Sequence, residues 1–260
     1  MQRYFTKESD WDGNFVFIKG DDAHHIVSVM RKKVGDRVIC NHPEGKAAIC
    51  EIQQIEKLNV KVEVVEWLEE NAELPIQVTI AQGLPKGNKL DFILQKGTEL
   101  GASKFLLFEG ERSIAKWDEK KSKQKLKRYR KILKEASEQC HRNIIPEIEV
   151  MSLQTILESH LQYDIMMYAY EEEAKKAEYS SLAKAFTSMK LRQKALILIG
   201  PEGGFSNREV QLFEKYDLKP VRLSPRILRT ETASLYALAS ISYHFEELRC
   251  HECQQSHSIR

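Results

Sequence analysis

The sequence lacks most of the features that quickly assign a function. Its five cysteines are an odd number and are scattered (Cys40, Cys50, Cys140, Cys250 and Cys253), which argues against a disulfide framework and for reduced thiols in a cytoplasmic protein. No apolar run has transmembrane length, so a membrane-spanning helix is excluded. Met1-Gln2-Arg3-Tyr4-Phe5 is not followed by the apolar stretch of a signal peptide. A net charge of only +2 excludes a polycation. There is no G-x-x-x-x-G-K-[ST], and no G-x-G-x-x-G after a first strand, so neither common nucleotide-phosphate loop is present. Cys250 and Cys253, with His251 and His257 nearby, have metal-like spacing but no second cysteine pair. They stand in a polar C-terminal stretch, and a flexible tail over 251–260 with no metal is the expectation. Repeats and low-complexity tracts are also missing.

What is there suffices for one large domain or two modest ones: 260 residues, 42% hydrophobic. Residues 1 to about 72 read as mostly β. "FVFI" (15–18), "DRVIC" (36–40), "KAAICEIQQIE" (46–56) and "NVKVEVVEWL" (59–68) are β-rich, and several alternate apolar with polar. One helix interrupts them, "DDAHHIVSVMRKK" (21–33), with Asp21 or Asp22 as N-cap. The acidic, proline-ended "LEENAELP" (68–75) reads as a linker. Beyond it strands alternate with helices: "IQVTIAQGL" (76–84), "NKLDFILQKGTELG" (88–101), "KFLLFEG" (104–110), a basic helix, "EIEVM" (147–151), "LQTILESH" (153–160), "YDIMMYAY" (163–170), "KALILIG" (194–200), "SNREVQLFEKY" (206–216), "KPVRLS" (219–224) and the apolar "TASLYALASISYHFEEL" (232–248). That rhythm predicts an α/β domain with a mostly parallel sheet covered on both faces, its ligand at the carboxyl ends of the strands.

The charge is unevenly placed. Ten Lys or Arg and two acids lie between Lys116 and Lys134, with Leu126, Tyr129, Leu133 and Ala136 at helical spacing. One face of that helix would pack on the core. The other would present a basic stripe, either simply solvated or able to neutralise phosphates of a nucleic acid.

Two stretches carry chemistry. "LILIGPEGGFSNREV" (196–210) places Gly200, Pro201, Glu202, Gly203 and Gly204 between a strand and a helix. Ser206 with Glu209 three residues on forms a capping box that fixes the helix start. Such a loop lets a ligand approach the backbone, but it has no lysine, and Glu202 would repel a phosphate. A neutral or cationic ligand fits better; a tight turn with no ligand is the plainer alternative. In "RLSPRILRTETASLYALASISY" (222–243), Pro225, Arg226, Arg229 and Thr230-Glu231-Thr232 crowd the mouth of a nearly all-apolar helix. Thr230 or Thr232 could cap it, and Glu231 is the only local partner for the arginines.

"IGPEGGFS" followed by "LSPRILRTETA" resembles the 16S ribosomal RNA (uracil-N3)-methyltransferase family of the knotted SPOUT superfamily. "HHIVSVMR" (24–31), "KGNKLDFILQKGTELG" (86–101), "ERS" (111–113) and "EASEQCHR" (135–142) are similar to further motifs of that family. The resemblance implies a PUA-like RNA-binding β-barrel over 1–72 and a SPOUT methyltransferase domain with a trefoil knot over 73–250. It also implies a homodimer formed through the knotted domain. The implied cofactor is S-adenosylmethionine (AdoMet), the implied substrate 16S rRNA or the small ribosomal subunit, and the implied product a uridine methylated at N3. The cofactor pocket would then be built from Tyr168, Ala169 and Tyr170; from Ile199, Gly200, Pro201, Glu202, Gly203 and Gly204; and from Leu223, Ser224, Pro225, Ile227 and Leu228.

For catalysis Arg229 is the first candidate, as stabiliser of a uracil anion; its structural alternative is a salt bridge to Glu231. Arg226 is the second. Glu202 could act as a general base or could hold the loop. RNA contacts are expected from Arg3, Arg31, Lys32 and Lys33, and from Arg112, Lys123, Lys127, Arg128 and Arg142. The chain departs from the family pattern at Ser224, where glycine is common, which would strain the loop if that position needs a positive φ. Gly97 stands where alanine is commoner, at a helix cost of roughly 1 kcal/mol.

Overall fold

The computed structural model describes residues 1–171 and 182–248. The predicted tail over 251–260, with Cys250, Cys253, His251 and His257, lies outside the described residues. The chain divides into two compact units: Met1–Glu73 with Lys134–Ile145, and Leu74–Leu133 with the chain from Pro146 onward.

The first unit is a six-stranded sheet of β1 (Arg3–Phe5), β2 (Trp11–Asp12), β3 (Phe15–Lys19), β4 (Arg37–Asn41), β5 (Ala47–Glu56) and β6 (Asn59–Leu68). Its order is β1-β4-β5-β6-β3-β2; β1 pairs parallel with β4, and the other neighbours are antiparallel. The alternation read in the sequence becomes the two faces of the sheet. Val16 and Ile18, Val38 and Cys40, Ala48, Cys50 and Ile52, and Val60 and Val62 all point into one core with Tyr4 and Ile26.

The helix expected over 21–33 is shorter and starts earlier. α1 (Gly20–His24) runs into a π-helical turn over His25–Val29, with Lys19 in the N-cap position. Asp21 and Asp22 therefore sit in the first turn, where their charge suits the helix dipole. The helix stops because Arg31 turns left-handed (φ 52°) and the Lys32 N–H bonds back to the Ile26 carbonyl at 3.0 Å.

The second unit holds β7 (Gln77–Gly83), α2 (Lys89–Glu99), β8 (Lys104–Phe108), β9 (Glu147–Val150), α4 (Leu153–Glu158), β10 (Ile165–Ala169), α5 (Leu182–Ser188), β11 (Lys194–Ile199), α6 (Asn207–Lys215), β12 (Lys219–Val221) and α7 (Thr230–Ser242). The basic helix is α3 (Glu119–Gln139), whose residues from Lys134 on belong to the first unit. The sheet order is β12-β10-β11-β7-β8-β9, and every pair is parallel. This is the SPOUT-type sheet expected from the resemblance. Leu106, Phe108, Tyr168, Leu196 and Leu198 cover one face with Phe205 and Phe213. On the other face α2 lies close enough that a Cβ at Gly97 would meet the Phe105 ring at 2.8 Å and Leu238 of α7 at 3.4 Å.

The chain first builds β7, β8 and β9 outward. It then returns to the far side of β7 for β10, β11 and β12. That reversal brings the carboxyl ends of β10, β11 and β12 together, and the loops that leave them form the site.

Candidate active site

At the carboxyl edge of the second unit's sheet lies a cleft of about 370 Å³. Three segments wall it: Ala169, Tyr170 and Glu171 from the end of β10 onward; Ile199, Gly200, Pro201, Glu202, Gly204 and Phe205 from the end of β11 onward; and the stretch from Val221 at the end of β12 to Thr230 at the start of α7, Pro225 excepted. Lys89 and Ala233 complete the lining. Most residues proposed for the cofactor pocket stand on this wall, and three do not. Tyr168 is buried in the core beside Phe213, ring centroids 4.8 Å apart, since successive strand residues face opposite sides. Gly203 faces Arg112 instead. Pro225 lines a neighbouring, more apolar cleft with Phe186, Tyr236 and Tyr243.

The glycine loop is held from below. A Cβ at Gly203 would come within 2.9 Å of Arg112, whose Nη1 donates to the Gly203 carbonyl at 3.0 Å. Gly204 takes φ +65°, closing the turn into α6. The predicted capping box is present: the Glu209 N–H donates to Ser206 Oγ (3.1 Å), and the Ser206 N–H donates to Glu209 Oε2 (2.7 Å). Buried Glu209 does more than cap, because its Oε1 accepts the Glu111 N–H at 3.0 Å and ties the "ERS" segment to the loop.

A buried polar chain joins the strands to α7. Gln82 Nε2 donates to Thr230 Oγ1 (2.8 Å), which donates to the Gly200 carbonyl (2.6 Å); Ser234 Oγ donates to Gln82 Oε1 (2.5 Å). Every hydroxyl and amide in it has a partner, so the chain fixes the cleft floor without an unsatisfied polar atom. The Thr230 hydroxyl is spent here, so neither Thr230 nor Thr232 caps α7. The N-cap position is Arg229, without a side-chain cap.

The charges arrange themselves differently from the local sequence order. Glu231, the only nearby partner for the arginines in the sequence, pairs with Lys89 at 3.2 Å. Arg226 and Arg229 line the cleft, are exposed, and form no ion pair among the described residues. Glu202 accepts the Lys86 N–H (3.1 Å) and the Lys89 ammonium (3.0 Å). Partial burial would raise its carboxyl, but the bonds from Lys89 and the backbone outweigh this and hold it below the usual carboxylate range. A carboxylate so paired is a weak proton acceptor, which favours loop-holding over general base. Lys89, pushed up by its bond to Glu202, stays a cation. Ser224 carries none of the strain considered for it: its φ is not positive, and its Oγ accepts the Arg226 N–H at 3.2 Å.

Sequence reasoning missed Lys89, Glu171, Phe205, Val221, Arg222, Thr230 and Ala233 on the cleft. All but Lys89 lie within four residues of predicted positions, so a wider reading of the same motifs would find them. Lys89 comes from the start of α2 and is near in space alone. No group of three His, Cys, Asp or Glu among the described residues could hold a metal.

The residues expected to touch RNA separate into two groups. Arg3 (5% exposed) donates to Asn143 Oδ1 at 2.6 Å, and Arg142 (2% exposed) forks onto Glu73, with Nε to Oε2 at 3.0 Å. Both guanidiniums are buried structural donors within the first unit, which corrects their expected place on an RNA-facing surface. Arg112 is exposed but holds Gly203. Arg128 pairs with Asp91, and Lys123 with Glu119 at 2.6 Å on the exposed face of α3. Lys127, Arg31 and Lys33 are exposed, and Lys32 is half-buried. On α3 the sequence periodicity is realised: Tyr129, Leu133 and Ala136 are buried, while Lys120, Lys121, Lys123, Lys127 and Arg130 are exposed.

Two family models match the chain. An RNA methyltransferase domain model matches residues 72–242, and an RNA methyltransferase PUA domain model matches residues 18–65. The ribosomal RNA small subunit methyltransferase E of Bacillus subtilis (strain 168) is 47% identical over 253 residues, covering 96% of this chain and 99% of its own. A methyltransferase of Legionella pneumophila, solved in complex with the bound cofactor SAM, superposes with a TM-score of 0.80 at 27% identity, covering 93% of this chain and 97% of its own. The ribosomal RNA small subunit methyltransferase E of Neisseria gonorrhoeae, bound to S-adenosyl methionine, gives 0.81 at 25% identity, covering 94% and 98%. With nearly its whole length matched by such relatives, this chain belongs to the ribosomal RNA small subunit methyltransferase E family.

Proposed function

We propose that the protein transfers a methyl group from AdoMet to N3 of a specific uridine in 16S rRNA. The observation that carries this reading is the convergence of three loops on one cleft rimmed by Arg226 and Arg229, neither of them ion-paired among the described residues. The cleft suits the cofactor's chemistry. Ile199, Phe205, Leu223, Ile227 and Leu228 offer apolar surface for an adenine ring, and the glycine loop offers backbone groups for polar contact. Lys89, the one lysine on the wall among the described residues, is engaged by two carboxylates, which disfavours a phosphate there. When bound, AdoMet supplies the methyl group from a cationic sulfonium.

The residues of the chain prepare the nucleophile. Uracil N3 is a poor nucleophile until its proton passes to water, and negative charge then spreads onto O2 and O4. Arg229 donates hydrogen bonds to that charge as it forms, with Arg226 as second donor. Lys127 on α3 and Arg31 and Lys33 after α1 supply exposed positive charge for the rRNA backbone, with Lys32 beside them. The target base must be splayed out to reach the cleft.

The working form is a cytoplasmic homodimer, with a second copy covering the apolar cleft beside α7, where Tyr236 and Tyr243 remain exposed. Sedimentation equilibrium is expected to give twice the chain mass of 30.2 kDa; a monomer at micromolar concentration contradicts this part of the reading. Calorimetric titration tests the cofactor assignment. AdoMet is expected to bind with one site per chain and ATP not to bind, and the reverse pattern would remove the assignment.

A further inference from the structure

Lys89 stands where two of the site's three segments meet. It opens α2, and its ammonium lies 3.0 Å from Glu202 Oε1 and 3.2 Å from Glu231 Oε2. One cation thus joins the glycine loop after β11 to the first turn of α7. A second bond, from the Lys86 N–H to Glu202 at 3.1 Å, comes from the same passage between β7 and α2.

The placement is not explained by the helix that carries it. A cation at a helix N-terminus opposes the dipole, whereas Glu231 in the first turn of α7 is favoured by its own. Nor is it explained by global stability. The Lys89, Glu202 and Glu231 side chains are 30%, 31% and 17% exposed, and ion pairs open to solvent contribute little. What the contact does is local. Without Lys89, the carboxylates of Glu202 and Glu231 would be left near each other with no cation between them. The loop from Gly200 to Gly204 would keep the Thr230 bond at its Gly200 end but lose its tether at Glu202 to the first turn of α7.

We propose that Lys89 is a positioning residue for the cofactor: by holding Glu202 and Glu231 together it fixes the glycine loop against the start of α7. The wall that receives AdoMet and the rim that carries Arg229 are then set in one arrangement before binding. Preorganisation of this kind raises affinity by sparing the cost of ordering a loop. The proposal rests on the reading of the cleft as the AdoMet site.

The test compares Lys89→Met, Lys89→Arg, Glu202→Gln and the Lys89→Met/Glu202→Gln double variant, reading AdoMet Kd by calorimetry and KM and kcat for methyl transfer. Lys89→Met is expected to raise Kd and KM about tenfold while kcat stays within about threefold, the split that marks lost ground-state positioning. Lys89→Arg should recover most of the affinity, since a guanidinium also reaches two carboxylates. The double variant should bind no worse than the weaker single variant, because both substitutions break the same Lys89–Glu202 contact. Should Lys89→Met fail to fold, Glu202→Gln breaks the same contact from the loop side and is expected to raise KM alike. Unchanged KM in Lys89→Met, a loss confined to kcat, or additive losses in the double variant would each overturn the proposal. Wild-type protein without AdoMet affinity would overturn the cofactor reading first, and this proposal with it.

Discussion

Four charged side chains at the cleft look alike in the sequence and differ in the structure. Glu202 and Glu231 share Lys89, while Arg226 and Arg229 form no ion pair among the described residues. An exposed arginine without a partner at the edge of a cleft is able to donate to a charge that arrives with the substrate. Replacing Arg229 by alanine is therefore expected to lower the rate of methyl transfer by about 10²–10³-fold, the usual effect of losing one donor to a developing anion. AdoMet Kd by calorimetry should change little, and a variant of undiminished activity would remove Arg229 from its role. Residue types and motif spacing made the loop and both arginines legible in advance. What they could not carry was pairing. Arg3 and Arg142 read like surface cations, yet they are buried donors to Asn143 and Glu73, residues 140 and 69 positions away in the chain. Lys89 is illegible for the same reason: its partners lie on two other segments.

Among the elements, period and caps were the reliable signals. The ten-residue strands β5 and β6 alternate strictly enough to be read directly, as do the Ser206–Glu209 cap and the apolar stripe of α3. β1 and β2, of three and two residues, are too short to show a period. The end of α1 is not legible in the sequence, because the left-handed turn at Arg31 uses a residue with no preference for it. Gly97 shows how tertiary contact reverses a propensity argument. In isolation alanine would strengthen α2 by roughly 1 kcal/mol. In the fold its methyl group would meet the fully buried Phe105 ring at 2.8 Å, and overpacking of that kind costs about 1–3 kcal/mol. Gly97→Ala is accordingly expected to be neutral to about 2 kcal/mol destabilising in urea unfolding, and a clear gain in stability would contradict the packing described for α2.

At the scale of the molecule, the change from β-rich to alternating β and α near residue 72 was visible as composition and rhythm. A mostly parallel sheet follows from strands alternating with helices, and the sheet is parallel throughout. The strand order did not, because no local pattern says that β10 and β12 lie beyond β11 rather than beside β9. Nor did the return of Lys134–Ile145 to the first unit, since one uninterrupted helix carries the chain there. The strand order gathers three loops at one edge, and with them the chemistry assigned to the site. The central claim is that this site methylates a uridine of small-subunit rRNA at N3. Mass spectrometry of nuclease-digested 16S rRNA, after incubation of small subunits with protein and AdoMet, measures it directly. The account predicts a single added methyl group on one uridine, at N3. Methylation of a ribose 2′-hydroxyl or of another base, or no methylation by a protein that binds AdoMet, would contradict it.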